Sequence, residues 1–323
     1  MRRALLVGLN EYASAPHLQG CVADVDGLAP LLKRNGDESP NFKCESLTGA
    51  GGDLVTTRRL REYMQDLFAH DDGDVLFYFS GHGAATTIGG HLMTYESGTF
   101  DPGLPMRELV DRANEFAKRT RRNAIIILDC CYAGAAGTDE EVVGTIENDA
   151  RLSEGVTIIA AARHRQRAVE IAGHGAFTRL VVAALQGGAA DLRGRVSAAS
   201  IYAHAEAVLG ALDQRPIYKS HAASLEPVRL CVPAVPDHVL RQLTKLFRTP
   251  DVLHHLDPTY ERTHVNANPA KVAIFQALKR LQVGGLARCE TGFDMYDTAM
   301  ESQSVLLTPL GKFYWELADA DQF

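Results

Sequence analysis

Short apolar runs alternate with amphipathic stretches through the first two thirds of the chain. Ala4–Leu9, Lys43–Leu47, Asp74–Phe79, Ala124–Leu128 and Val156–Ala160 have the length of strands, and several are apolar at every position. Continuous apolarity suits strands covered on both faces of a parallel sheet. Between them a helical period runs near Asp24–Lys33, Thr56–Ala69, Met106–Arg119 and Phe177–Gln186. Thr56 or Thr57 can cap the second of these helices. The alternation predicts an α/β fold with a mostly parallel central sheet. At Val232-Pro233-Ala234-Val235-Pro236 the pattern changes to a stiff, extended linker. Beyond it come a helix at Ala270–Leu281, a Gly284-Gly285 stop, strands at Leu286–Glu290 and Val305–Thr308 around a polar loop, and a last helix from Pro309. Two domains are expected, 1–232 and 237–323, the second a smaller α+β unit.

Composition narrows the class. The 323 residues are 46% hydrophobic and 23% charged, which excludes disorder, and the net charge is −7, opposite to the footprint of a dedicated nucleic-acid binder. The segment from Pro233 holds nine Lys/Arg against eleven Asp/Glu, which also argues against phosphate-backbone binding. Six cysteines without C-x-x-C spacing argue against zinc. His254-His255 has no carboxylate or cysteine at ligand spacing, and is expected on a solvated helix face. Lys118-Arg119-Thr120-Arg121-Arg122 ends a helix, where positive charge complements the dipole. The first apolar run is too short for a signal peptide, and no run approaches the ~18 residues of a membrane span. A cytoplasmic protein with reduced thiols and no membrane partner is expected.

Two polar clusters follow core strands: Ser80-Gly81-His82-Gly83 after Asp74–Phe79, and Asp129-Cys130-Cys131-Tyr132-Ala133-Gly134 after Ala124–Leu128. Open α/β sheets place their sites at this edge. Strand alternation puts Tyr78, Ser80 and His82 on one face, Asp129 and Cys131 on a shared face, and Cys130 with Ile126 and Leu128 on the other. Cys130 is thus expected to be a buried thiol. A cysteine and a histidine on neighbouring strand ends supply a nucleophile and its base. The backbone N–H groups of Gly83 and Cys131 can hold the oxyanion of an acyl intermediate. Taken singly, His82 reads as a turn histidine and Cys131 as a second buried thiol; the ordered spacing and shared face favour catalysis.

These motifs resemble the caspase-like cysteine peptidases, and the metacaspase branch more closely than the caspases. His82 precedes Cys131 by 49 residues, against about 50 in caspases. Metacaspases carry S-G-H-G and D-x-C-x-S-G after their strands, and here Ala133 replaces the usual Ser. Leu18-Gln19-Gly20-Cys21-Val22-Ala23-Asp24-Val25 looks like the family's L-x-G-C-x-N-D-A/V segment, with Ala23 departing from Asn. Gln166, Glu170, Gly175-Ala176-Phe177-Thr178 and Gln214-Arg215-Pro216 match later stretches, so the resemblance covers roughly residues 1 to 232.

The resemblance implies a caspase-like three-layer sandwich, with His82 as general base and acid and Cys131 as nucleophile. It implies a substrate pocket from Asp24, Ser80 and Asp129, where two carboxylates suit Arg or Lys at P1, the residue before the cut. Asp24 could instead cap the helix that begins there. Relatives commonly cut themselves between the cysteine strand and the next core strand; between Tyr132 and Gly155 the only Lys or Arg is Arg151, which makes Arg151-Leu152 the expected bond. Metacaspases often need calcium, whose site one sequence does not locate, so calcium is left open. Leu307-Thr308-Pro309-Leu310-Gly311-Lys312 looks like the end of a winged-helix domain. A sensing module that answers an activating ligand or protein, in a stress, defence or cell-death pathway, is the expectation. The rival is a catalytically idle scaffold or a DNA-binding regulator on the same fold; the intact His, Cys and Asp set argues against idleness.

Overall fold

The computed structural model describes residues 1–49, 51–86, 89–132, 152–161, 170–171, 174–210, 216–224, 226–292 and 294–323, without the side chains of 85, 131, 132, 170, 171 and 174. The chain forms two compact units, one of Met1–Ala190 with Arg195–Cys231 and the other of Asp191–Gly194 with Val232–Phe323.

The first unit opens with β1 (Arg3–Leu9), α1 (Cys21–Lys33), β2 (Lys43–Gly49), α2 (Thr57–Ala69) and β3 (Val75–Thr86). It continues with β4 (Gly89–Leu92), β5 (Leu104–Pro105), α3 (Met106–Thr120), β6 (Ala124–Tyr132) and β7 (Val156–Ala160). A short hairpin of β8 (Glu170–Ile171) and β9 (His174–Gly175) leads into α4 (Ala176–Ala183). Then come β10 (Arg195–Val196), α5 (Ala198–Leu209), β11 (Ile217–His221) and β12 (Arg229–Leu230). The main sheet runs β11-β7-β6-β3-β1-β2, parallel except for β11.

Both faces of the sheet are covered, as the apolar runs require. Val7, Phe77, Ile126 and Ile158 pack with Leu60 and Met64 of α2 and Leu109 and Phe116 of α3. Leu6, Tyr78, Ile127 and Ile159 pack with Leu28 of α1, Val181 of α4 and Ile201 of α5. The expected three-layer architecture is therefore present. Thr56 is the cap of α2, accepting from Arg59 N at 3.2 Å, whereas Thr57 lies inside the helix with its hydroxyl 2.8 Å from that of Thr94.

Some elements depart from expectation. β3 and β6 do not stop at Phe79 and Leu128 but continue to Thr86 and Tyr132. They go on pairing from Ser80↔Asp129 to Gly83↔Tyr132, and ladder bonds outweigh the weak strand preference of glycine. The second unit holds α6 (Asp237–Leu240), α7 (Leu243–Leu246), β13 (His254–His255), α8 (Pro269–Val283), β14 (Ala287–Cys289), α9 (Met295–Met300), β15 (Ser304–Leu307) and α10 (Pro309–Asp319). The stretch expected as a polar loop contains α9, because Asp294 caps it by accepting from Asp297 N and its Met295 and Ala299 face the core. His254-His255 is a strand paired with β15, not a helix face. His254 Nδ1 meets Leu246 O at 2.8 Å and its Nε2 meets Tyr260 Oη at 3.2 Å, so packing inside the unit explains it.

Candidate active site

The sheet reverses its order of growth between β1 and β3, the switch point where the carboxyl ends of strands leave a crevice. Four chain segments meet there. β3 and β6 bring His82 opposite Cys131 and Ser80 opposite Asp129 as directly paired Cα partners. Parallel neighbours lie about 4.8 Å apart, so this register alone sets the two motif residues side by side.

Tyr12, just past β1, holds the histidine. The His82 N–H donates to Tyr12 Oη at 2.8 Å, and the two rings lie 4.7 Å apart at 50°. Gly81 makes this possible: a Cβ there would stand 2.5 Å from Tyr12 Oη and 2.9 Å from a ring carbon of Phe79. On its other side the ring is fixed by Pro16, whose carbonyl oxygen is 2.8 Å from His82 Nε2. A carbonyl only accepts, so Nε2 carries the proton, and in the neutral ring Nδ1 keeps its lone pair. That lone pair is what a general base needs. Replacing Tyr12 by phenylalanine is expected to leave the buried His82 N–H unpaired, at a cost of about 1–3 kcal/mol in stability. Any turnover that uses His82 as a base should fall with it; an unchanged kcat, with the melting temperature lowered, would remove Tyr12 from any positioning role.

The acidic residues form a second cluster. α1 begins where Asn10 Oδ1 accepts from Cys21 N at 3.0 Å and Val22 N at 3.3 Å. Its first turn carries Asp24, only 2% exposed. Asp24 does not cap the helix: its Oδ2 accepts from Ser80 Oγ at 2.9 Å and its Oδ1 from Gly175 N at 3.3 Å. Asp129 Oδ2 accepts from Thr178 N at 3.1 Å and Thr178 Oγ1 at 2.6 Å. Because the Thr178 hydroxyl donates to the carboxylate, it accepts from Tyr78 Oη, 2.6 Å away. Burial pushes the Asp129 carboxyl up to about 6, the Thr178 hydrogen bonds pull it down, and the charge of Asp24 raises it further. Gly175 lies against both acids: a Cβ there would be 2.4 Å from Asp129 Oδ2 and 3.3 Å from Asp24 Oδ2.

The structure thus gathers Asp24, Ser80 and Asp129 beside His82. Gly83 pairs with Tyr132 in β6 and Leu92 in β4. The Cys131 side chain and Arg151 lie outside the described residues. Cys130 is 5% exposed among Phe79, Ile126 and Leu128, as strand alternation requires. The sequence pointed to Gly175 and Thr178 only as part of a motif, without a role. Tyr12 carried no signal, because it lies 70 residues from His82 in the chain, and the Pro16 carbonyl carried none, because a backbone oxygen is the same at every position. Among the described residues no group of three His, Cys, Asp or Glu side chains is arranged to hold a metal, and no helix is long and apolar enough to cross a membrane.

Comparison with known proteins gives consistent results. The family model described as the caspase domain matches residues 1–225. Metacaspase-6 from Arabidopsis thaliana is 35% identical over 85 residues, 25% of this chain and 23% of that protein. Metacaspase-3 from Trypanosoma cruzi (strain CL Brener) is 39% identical over 90 residues, 26% and 25% of the two chains. The chain therefore spans about a quarter of the length of these curated relatives. Among solved structures, the fold is similar to that of caspase-1 from Spodoptera frugiperda, with a TM-score of 0.52 at 13% identity over 71% of this chain and 90% of that one.

Proposed function

We propose that this chain, which belongs to the caspase-domain family, is a cysteine endopeptidase that cuts peptide bonds after Arg or Lys. The observation that carries this reading is the approach of two carboxylates to one another: Asp24, bonded to Ser80 and Gly175, and Asp129, against the same Gly175 and opposite Ser80 in the sheet, one strand repeat from His82. An arginine or lysine arm entering there meets two anions and gains charge-assisted hydrogen bonds, whereas an aspartate arm is repelled.

The chemistry follows from the tautomer. His82 Nδ1 takes the proton of the Cys131 thiol, and the thiolate sulfur bonds to the substrate carbonyl carbon. The N–H groups of Gly83 and Cys131 stabilise the resulting oxyanion. His82 then gives its proton to the departing amine as the C–N bond breaks, and water hydrolyses the thioester with His82 again as base. Purified protein should release fluorophore from Arg-P1 peptides and leave Asp-P1 peptides intact, and assays with and without calcium decide whether the ion is a cofactor. Cutting after Asp, or no cutting under any condition, would reject the reading.

Arg151-Leu152 is the proposed site of self-cleavage, since a pocket for cations finds one eligible bond between Tyr132 and Gly155. Intact-mass analysis of activated protein should show two fragments meeting at this bond, absent in Cys131→Ala and Arg151→Ala. Full activity in an uncut chain would reject it. The second unit, with its three-stranded sheet β13-β15-β14, is proposed as a winged-helix-like module that answers an activating ligand or protein. A cytoplasmic setting in a stress, defence or cell-death pathway completes the proposal.

A further inference from the structure

One face of β3 reads Tyr78, Ser80, His82, Ala84, Thr86. Alternate residues of a strand are about 7 Å apart. Ser80 therefore marks the acidic cluster about 7 Å behind His82, and Ala84 stands about the same distance ahead of it. Ahead of it lies a cavity of about 650 Å³, walled by His82, Ala84 and Thr86 together with Pro16, Met93 and Pro102. Among the described residues that line it there is no Asp, Glu, Lys or Arg. The Thr86 hydroxyl is already engaged, donating to Gly89 O at 3.0 Å.

We infer that this cavity binds the substrate residues that follow the cut, and that it selects an uncharged, medium-sized apolar side chain at P1′. The inference rests on the peptidase reading above, because that reading sets the direction of the substrate. With the P1 arm turned back to Asp24 and Asp129 and the scissile carbonyl at His82, the next residue falls on the Ala84 side. Ala84, Met93 and the two prolines give it apolar contact. A carboxylate or ammonium there would lose hydration without a counter-charge, and a cation would also oppose the imidazolium that forms when His82 takes the thiol proton.

The test uses the full chain and three peptides that share Arg at P1 and carry Val, Asp or Lys at P1′, with cutting at the Arg-P1′ bond alone counted by product mass. The Val peptide should be cut with a kcat/KM about tenfold or more above the other two. Thr99, exposed at the cavity wall, supplies a gain of charge: Thr99→Glu should raise the Lys-to-Val ratio about tenfold. A peptidyl-arginine chloromethyl ketone, which has no residue after P1, should alkylate wild-type Cys131, the sulfur displacing chloride. Failure of that labelling overturns the peptidase reading and this inference with it. Labelling accompanied by equal cutting of the three peptides, or by an unchanged ratio in Thr99→Glu, overturns the inference alone.

Discussion

Cys131→Ala is expected to reduce peptidase turnover at least about 10⁴-fold, because loss of the nucleophile removes the covalent route and leaves only binding and oxyanion contacts. Cys130→Ala is expected to keep turnover within a few fold. The two cysteines are chain neighbours, yet the strand sends them to different fates. Cys130 belongs to the apolar layer with Phe77, Phe79 and Leu128, so its truncation opens a small cavity at a cost of about 1–2 kcal/mol. Cys131 is the Cα partner of His82. Active-site titration with the chloromethyl ketone, followed by peptide mapping, reads both variants at once. Activity lost in Cys130→Ala with the fold intact, and kept in Cys131→Ala, would overturn the assignment.

Asp129→Asn is expected to make the protein more stable and far less active. The Asp129 carboxyl is raised to about 6 first by burial and then by the charge of Asp24. A raised folded value means that the native state holds the proton more tightly than the unfolded chain does. Stability therefore falls as pH rises from about 4 to about 6 and stays reduced above that window. Asparagine has no charge to bury and retains an oxygen for the Thr178 donors. At pH 7.5 the variant should gain roughly 1–3 kcal/mol, the lower part of the range reflecting residual solvent contact at the half-buried site. The gain should shrink on acidification through pH 6 and vanish near pH 4.

Function runs the opposite way. Removing the anion that a bound P1 arginine would pair with costs about 2–5 kcal/mol, so kcat/KM on Arg-P1 peptides should drop about 30-fold or more. For the same reason wild-type kcat/KM on these peptides should decline below about pH 6 as Asp129 takes up its proton. Thermal melts across pH, paired with kinetics, measure both halves. A variant less stable than wild type at pH 7.5, or a stability gap that widens in acid, would show that the carboxylate is not the strained group.

Much of the first unit could be read directly from local pattern. Strands buried on both faces are apolar at nearly every position, which is why Ala124–Leu128, and Val156–Ala160 with Thr157 as its one polar residue, were legible without any knowledge of their neighbours. The shared faces were legible too, since Ser80 and His82, and likewise Asp129 and Cys131, are two residues apart on paired strands. Where pairing itself decides structure, local pattern falls short. Glycine-rich 80–86 stays in a strand because β6 and β4 supply hydrogen bonds across it, and α9 forms in a polar stretch because Asp294 and the core beneath it hold the ends. The approach of Asp24 to Ser80, 56 residues apart, and of Gly175 to both acids is a product of packing between α1, β3 and β9. The elevated Asp129 carboxyl likewise has no counterpart in its sequence neighbours: it arises from enclosure and from a like charge brought there by another segment. Side-chain periodicity is a local property of the backbone and is written along the chain; desolvation and the meeting of distant charges exist only after the layers have closed.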